Sequence, residues 1–126
     1  IDLSLDDIEH ELLRPVWKDP RIHYAANCAS VGCPNLARRP YTGANLEAML
    51  DSAARSYVNS PRGVRIDGGK VTVSSLYDWY AGDFGGSVPE ILKHILRYAE
   101  PKLAKRLREA GKIDEYAYDW MLNDVK

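Results

Sequence analysis

The sequence predicts a single α+β domain, residues 1–126, in which helices pack against a small antiparallel sheet. The chain has 126 residues, a length that suits one hydrophobic core. Apolar side chains recur at helical spacing in several segments. Residues 64–73 instead alternate apolar and polar side chains around a Gly-Gly turn, which is typical of a β-hairpin. Together these three observations favour helices around a short antiparallel sheet.

In the first half of the chain, residues 3–15 read as a helix. Ser4 is a typical N-cap, and Pro15 is expected to end the element. Its apolar residues should face the core: Leu5, Ile8 and Leu12. Residues 21–28 read as a strand with alternating faces. A second helix of about thirteen residues is expected after Asn45.

The second half of the chain begins with the hairpin at residues 64–73. Ser74 or Ser75 can start a short helix that reaches Tyr80, and a turn follows at residues 83–86. Three further elements complete the prediction: a helix from Ser87 to about Tyr98, a helix over residues 102–110, and a final strand over residues 113–120.

Composition limits the classes of ligand. The net charge is −1, from 17 basic and 18 acidic residues, so no broad positive field is expected to hold a nucleic acid. The apolar runs are too short to cross a bilayer. Two cysteines do not make a disulfide-rich scaffold. We therefore expect no nucleic acid, no membrane span and no cofactor.

Residues 19–34 hold the candidate chemistry. His23, Asn27, Cys28 and Cys33 fall within eleven residues, and a thiol beside an imidazole is what a nucleophilic cysteine requires. A free cysteine has an ordinary pKa of about 8.5, so it needs a base or a cation nearby. On a regular strand His23 and Cys28 would point to opposite faces. A bulge or turn near Asn27 is therefore needed to bring them together.

Three other interpretations of the cysteines stay open. Cys28 is a small apolar residue that a core can bury. A Cys28–Cys33 disulfide would close a short loop and stabilise the fold by about 2 kcal/mol in the chain-entropy model. A zinc site built from His10, His23 and the two cysteines has suitable ligand types. Its spacing matches no familiar zinc motif, so no metal is predicted.

Several segments, taken in order, resemble the domain of unknown function 547 family. They are LSLDDIEH, LR, DPRIH, NCAS, GCP, SLYDWY, DF and YDW followed by LN, and they span residues 3–123. Members of that family usually have an upstream helix with a Trp-Ile-Asn-x-Tyr-Asn type motif, and this chain starts after it. We therefore expect this chain to be the C-terminal part of the family domain. Self-association, or association with the missing segment, would cover the exposed surface.

The resemblance implies an α+β fold similar to cysteine endopeptidases and transglutaminases, and export to the periplasm or the extracellular space. It also implies that Cys28 is the nucleophile, that His23 is its proton partner and that a carboxylate orients His23. Glu9 is the first candidate for that carboxylate, and Asp19 is the second. An exposed charge and a turn residue are their respective alternatives.

The remaining candidates are binding residues. Arg14 and Arg21 can bind a carboxylate, although such arginines often form structural ion pairs. Tyr80 and Asp83 are expected in a pocket wall near the thiol. Two residues of the turn complete the set of binding candidates: Asn27 and Ser30, whose backbone amide can stabilise an oxyanion.

The leading function is a thiol-dependent hydrolase or transferase that acts on a peptide, an amide or a small thiol such as glutathione. The alternative is a non-catalytic protein-interaction domain with a structural Cys28–Cys33 disulfide.

Overall fold

Helices and one three-stranded sheet build the fold, for which a computed structural model describes residues 2–26 and 30–123. The α-helices are α1 (Leu5–Asp7), α2 (Ile22–Ala25), α3 (Leu46–Val58), α4 (Leu76–Trp79), α5 (Val88–Tyr98) and α6 (Pro101–Ala110). A π-helix (Ile8–Trp17) continues α1, and a 3₁₀ turn (Ala81–Phe84) follows α4. The strands are β1 (Val64–Asp67), β2 (Lys70–Ser74) and β3 (Glu115–Ala117). The α+β class is therefore confirmed.

The predicted hairpin is present, but the sheet is mixed rather than antiparallel. β1 and β2 pair in antiparallel fashion, with Val64 opposite Val73. Gly68 and Gly69 take positive φ angles of 57° and 81° in the turn, a region that glycine enters at little cost. β3 pairs with β2 in parallel. A parallel pair requires a long crossover between its strands, and here the segment that contains α4, α5 and α6 provides it.

The core lies between the sheet and the helices α3, α4 and α5. α5 is strongly amphipathic, and Ser87 caps it by accepting a hydrogen bond from the Glu90 amide. The largest fully buried side chains define the centre of the core: Tyr24, Tyr57, Tyr77, Ile95, Leu107, Val58, Val71 and Val73. This core fixes the position of α2 and of the turn that follows α4.

A glycine at the start of β1 packs against backbone. A Cβ atom at Gly63 would overlap the carbonyl group of Tyr57. We expect Gly63→Ala to lower the free energy of unfolding by about 1–3 kcal/mol, the usual cost of overpacking. Urea denaturation measures this, with Gly43→Ala as the matched control, because a Cβ at Gly43 meets nothing within 4 Å. Equal stability of the two variants would contradict the prediction.

The segment predicted as a strand at residues 21–28 is helical over Ile22–Ala25, and the next residue, Ala26, is extended. Ile22 and His23 donate backbone hydrogen bonds to the carbonyls of Asp19 and Pro20, and α2 follows. Proline suits the first turn of a helix because its φ is fixed and it needs no acceptor. The strand prediction was wrong because it followed the alternating faces of residues 21–28 and gave no weight to Pro20 as a helix-start signal.

The first helix also differs from its prediction. The Ser4 cap is confirmed, since its side chain accepts from the Asp7 amide and the Asp7 carboxylate accepts in return. Pro15 lies inside the π-helix rather than at its end, and Lys18, at φ 53°, follows the last residue.

The apolar side chains of this helix do not face the core. Leu5 is 85% exposed and Leu12 is 43% exposed, with Ile8 at the edge of exposure. No residue of α1 or the π-helix is buried. The predicted core face was wrong because polar contacts from the other side of the helix, described below, hold it against the domain.

Candidate active site

The centre of the site is a buried imidazole paired with a carboxylate. His23, on α2, is 2% exposed, and its Nε2 lies 2.8 Å from Oδ2 of Asp83. Asp83 comes from the 3₁₀ turn, 60 residues further along the chain. The ring of Tyr80 stacks on the imidazole at 4.3 Å between centroids. The carboxylate and the stacked ring together fix the plane and orientation of the imidazole.

The second ring nitrogen of His23 receives no hydrogen bond from the part of the chain that the structure describes. Nδ1 is buried and finds no partner among the described residues. Oε1 of Glu9 is 3.8 Å away, beyond hydrogen-bond distance. A carboxylate at Nε2 favours the tautomer in which Nε2 carries the hydrogen. Nδ1 is then the nitrogen with a free lone pair, and it is the atom that can accept a proton.

Arg14 also binds the Asp83 carboxylate. Its Nε donates to the same Oδ2 of Asp83 at 2.6 Å, and its guanidinium lies over the ring of Tyr80 at 4.7 Å. Nη1 of Arg14 lies 3.0 Å from Nδ1 of His10, which is one turn earlier on the π-helix. Such irregular helices occur frequently at functional sites.

The charges of the pair follow from burial and from these contacts. Burial lowers the pKa of His23, although the hydrogen bond to Asp83 acts in the opposite direction. Burial acts to raise the pKa of Asp83, but the hydrogen bonds from Arg14 and His23 outweigh it and hold that pKa below its usual value. At neutral pH the site therefore contains a neutral imidazole and an ionised carboxylate.

The structure brings together four of the residues predicted for the site besides His23. Arg14, Tyr80 and Asp83 contact one another or the imidazole, and Glu9 lies near Nδ1. Asp83 was expected in a pocket wall, and its direct pairing with His23 was missed. The Asp-Phe segment within the family resemblance was the available signal.

Arg21 lies in a separate ion-pair cluster. Its guanidinium contacts three carboxylates, those of Asp19, Glu47 and Asp51. Hydrogen bonds to Asp19 and Glu47 are the main reasons that the pKa of Arg21 is raised. Asp19, the second candidate to orient His23, pairs with Arg21 instead. This cluster ties α2 to α3.

The predicted turn is only partly described. Asn27 and Cys28 lie outside the described residues, so their predicted roles remain predictions. Ser30 is buried, and its Oγ lies 3.3 Å from Sγ of Cys33 and 3.1 Å from the hydroxyl of Tyr118. Cys33 is disulfide-bonded. The predicted partner in that bond, Cys28, lies outside the described part of the chain.

A cleft of about 450 Å³ opens beside the pair of His23 and Asp83. Its walls come from the π-helix, the segment between the π-helix and α2, α2 itself and the 3₁₀ turn, and they include His10, Arg14, Lys18, Asp19, Ile22 and Asp83. Cationic and anionic groups both line the cleft, which suits a polar ligand such as a peptide. Within residues 2–26 and 30–123, no three side chains of His, Cys, Asp or Glu are grouped to bind a metal ion.

Across the described ranges, no helix has the length and apolarity needed to span a membrane.

Comparison with known proteins gives one finding that bears on the site. No curated protein and no solved structure matches the chain at a significant level. The family model described as protein of unknown function, DUF547, matches residues 1–58. This part of the chain contains Glu9, Arg14 and His23. The match supports the predicted resemblance to the domain of unknown function 547 family.

Proposed function

We propose that the protein is a thiol-dependent enzyme of the cysteine hydrolase or transferase type, with Cys28 as nucleophile and His23 as its base. The observation that supports this most directly is the buried imidazole, with one nitrogen on a carboxylate and the other without a hydrogen-bond partner among residues 2–26 and 30–123. A cysteine enzyme needs this arrangement, because the base must be oriented yet keep a free lone pair. A peptide, an amide or a small thiol such as glutathione is the proposed substrate, in the periplasm or the extracellular space.

The proposed reaction belongs to the reduced protein, in which the disulfide at Cys33 is open and Cys28 is a thiol. It begins when Nδ1 of His23 takes the thiol proton of Cys28. The sulfur attacks the substrate carbonyl carbon, and a carbon–sulfur bond forms. The carbon–nitrogen bond then breaks as the imidazolium returns its proton to the leaving amine. Water, or an acceptor thiol or amine, releases the acyl group and restores the cysteine. During both proton transfers the Asp83 carboxylate stabilises the imidazolium, as in a catalytic triad.

In this proposal Asp83 replaces Glu9 as the residue that orients His23. Asp83 lies at hydrogen-bond distance from the ring, whereas Glu9 is 3.8 Å from Nδ1. Glu9 still places a negative charge near the nitrogen that becomes protonated. We assign it the role of stabilising the imidazolium electrostatically.

Thiol labelling tests the proposal. After mild reduction, the rate of iodoacetamide addition at Cys28 is followed by peptide-resolved mass spectrometry from about pH 5 to about pH 10, a range that brackets the ordinary thiol pKa. We expect half of the maximal rate below pH 7, because transfer of the thiol proton to the neutral His23 leaves a thiolate stabilised by the imidazolium that forms. In His23→Gln the midpoint should rise to about 8.5. A midpoint near that value in both proteins would reject the proposal.

A non-catalytic interaction domain is the second candidate, favoured by the disulfide at Cys33. In that case Cys28 is the structural partner of Cys33, and the fold serves to present a surface. The same labelling experiment separates the two functions. A Cys28 that stays joined to Cys33 and reacts only after denaturation would favour the interaction domain.

A further inference from the structure

Arg14 contacts three neighbours at once, and each of them belongs to the site. The guanidinium donates to Asp83, meets His10 and lies over Tyr80. Tyr80 in turn stacks on His23. The side chain of Arg14 is 26% exposed, so its ion pair with Asp83 is partly shielded from water. Arg14 therefore reaches the imidazole by two routes, through the carboxylate and through the aromatic ring.

We infer that Arg14 is a positioning residue, which keeps the Asp83 carboxylate ionised and aimed at Nε2 of His23 so that Nδ1 stays free to accept a proton. This inference rests on the proposed role of His23 as a base. It assigns Arg14 to the catalytic arrangement rather than to substrate binding, the role predicted from the sequence.

A single oxygen of the Asp83 carboxylate joins Arg14 to the imidazole of His23. Arg14 and His23 donate to the same atom, Oδ2 of Asp83, at 2.6 Å and 2.8 Å. A carboxylate bound on one oxygen by a guanidinium cannot turn away from the imidazole without breaking that charge-assisted hydrogen bond. The positive charge of Arg14 also offsets the attraction of Asp83 for a proton on His23.

Several charged or titratable groups act on His23, and all must be considered in a pH experiment. They come from the π-helix, the segment after α4, and α5: Glu9, Arg14, Tyr80, Asp83 and His94. Glu9 and Asp83 favour the imidazolium, whereas Arg14 disfavours it. Arg14→Gln removes the positive charge but keeps an amide N–H that can donate to Asp83 and hold it near Nε2. The two carboxylates are then uncompensated, so His23 should bind its proton more tightly.

NMR titration of the His23 ring measures this effect without any substrate. We expect Arg14→Gln to raise the pKa of His23 by about one unit, the scale of a charge within a few ångströms. Arg14→Lys keeps the charge and should leave the pKa close to that of the unmodified protein. Arg65→Gln is the matched control, because it removes the same charge from an exposed position on β1.

A purely structural role for Arg14 predicts a different result. The pKa of His23 would then stay unchanged in Arg14→Gln, or would shift as much in Arg65→Gln, and either outcome overturns the inference. If near-UV circular dichroism shows that Arg14→Gln is misfolded, Arg14→Met takes its place, because its chain can still pack on Tyr80. Thiol labelling reports on Cys28 and this titration only on His23, so failure of either proposal can be recognised separately.

Discussion

Replacement of Asp83 by Asn is expected to slow iodoacetamide addition at Cys28 by about a hundredfold or more near pH 6, within the range of general acid–base effects. An amide carries no charge to stabilise the imidazolium. It can also present its NH₂ group to Nε2, which would turn the ring to the opposite tautomer. His23 would then present a hydrogen at Nδ1 and could not take a proton there. The labelling rate at Cys28, measured as above, gives the result.

Asp78→Asn is the matched control for this prediction. Asp78 is an exposed residue of α4, five positions before Asp83, so the same chemical change is made beside the site but away from His23. Its labelling rate should equal that of the unmodified protein. If Asp83→Asn also reacts at the unmodified rate, Asp83 does not orient the base.

Acidification is expected to remove about 3 kcal/mol of stability between about pH 6.5 and about pH 4 through His94 alone. His94 is buried in α5 beside Tyr24, whose hydroxyl lies 2.7 Å from its Nε2. Burial, helped by the charge of Arg97, lowers the pKa of His94 to about 4 from 6.5, whereas Asp19 acts in the opposite direction. The unfolded chain therefore binds a proton at a pH where the folded chain does not, and stability falls with pH.

Urea denaturation at about pH 7 and about pH 4 measures the loss, and His94→Gln should show much less of it. Glutamine keeps an acceptor for Tyr24 and has no proton to gain. Part of the loss should remain, because the pKa of His23 is also lowered by burial. An unchanged acid sensitivity in His94→Gln would contradict the prediction.

Elements with local signals were predicted closely. The helix after Asn45 runs over Leu46–Val58, the helix after Ser87 over Val88–Tyr98, and the last helix over Pro101–Ala110. Capping residues, proline at a helix start, and the Gly-Gly turn act within a few residues of the backbone they shape. Such features can be recognised without knowledge of the tertiary fold.

The site could be predicted only in part, because its main contact is not local. Sequence patterns placed His23 and Asp83 among the candidates but gave no reason to join residues 60 positions apart. The parallel pairing of β3 depends likewise on how α4, α5 and α6 pack. The outward apolar face of the first helix was missed for a related reason, since periodicity shows that a face exists but not what it meets.

The π-helix is joined to the domain by polar contacts rather than by buried apolar surface. Regions with little apolar burial open locally at a lower free energy than the core. Glu9 and Arg14 would leave His23 in such an opening, while the packing of α3 and α5 persists. Conditions that weaken ion pairs, such as high salt, are therefore expected to weaken the proposed reaction while the core stays folded.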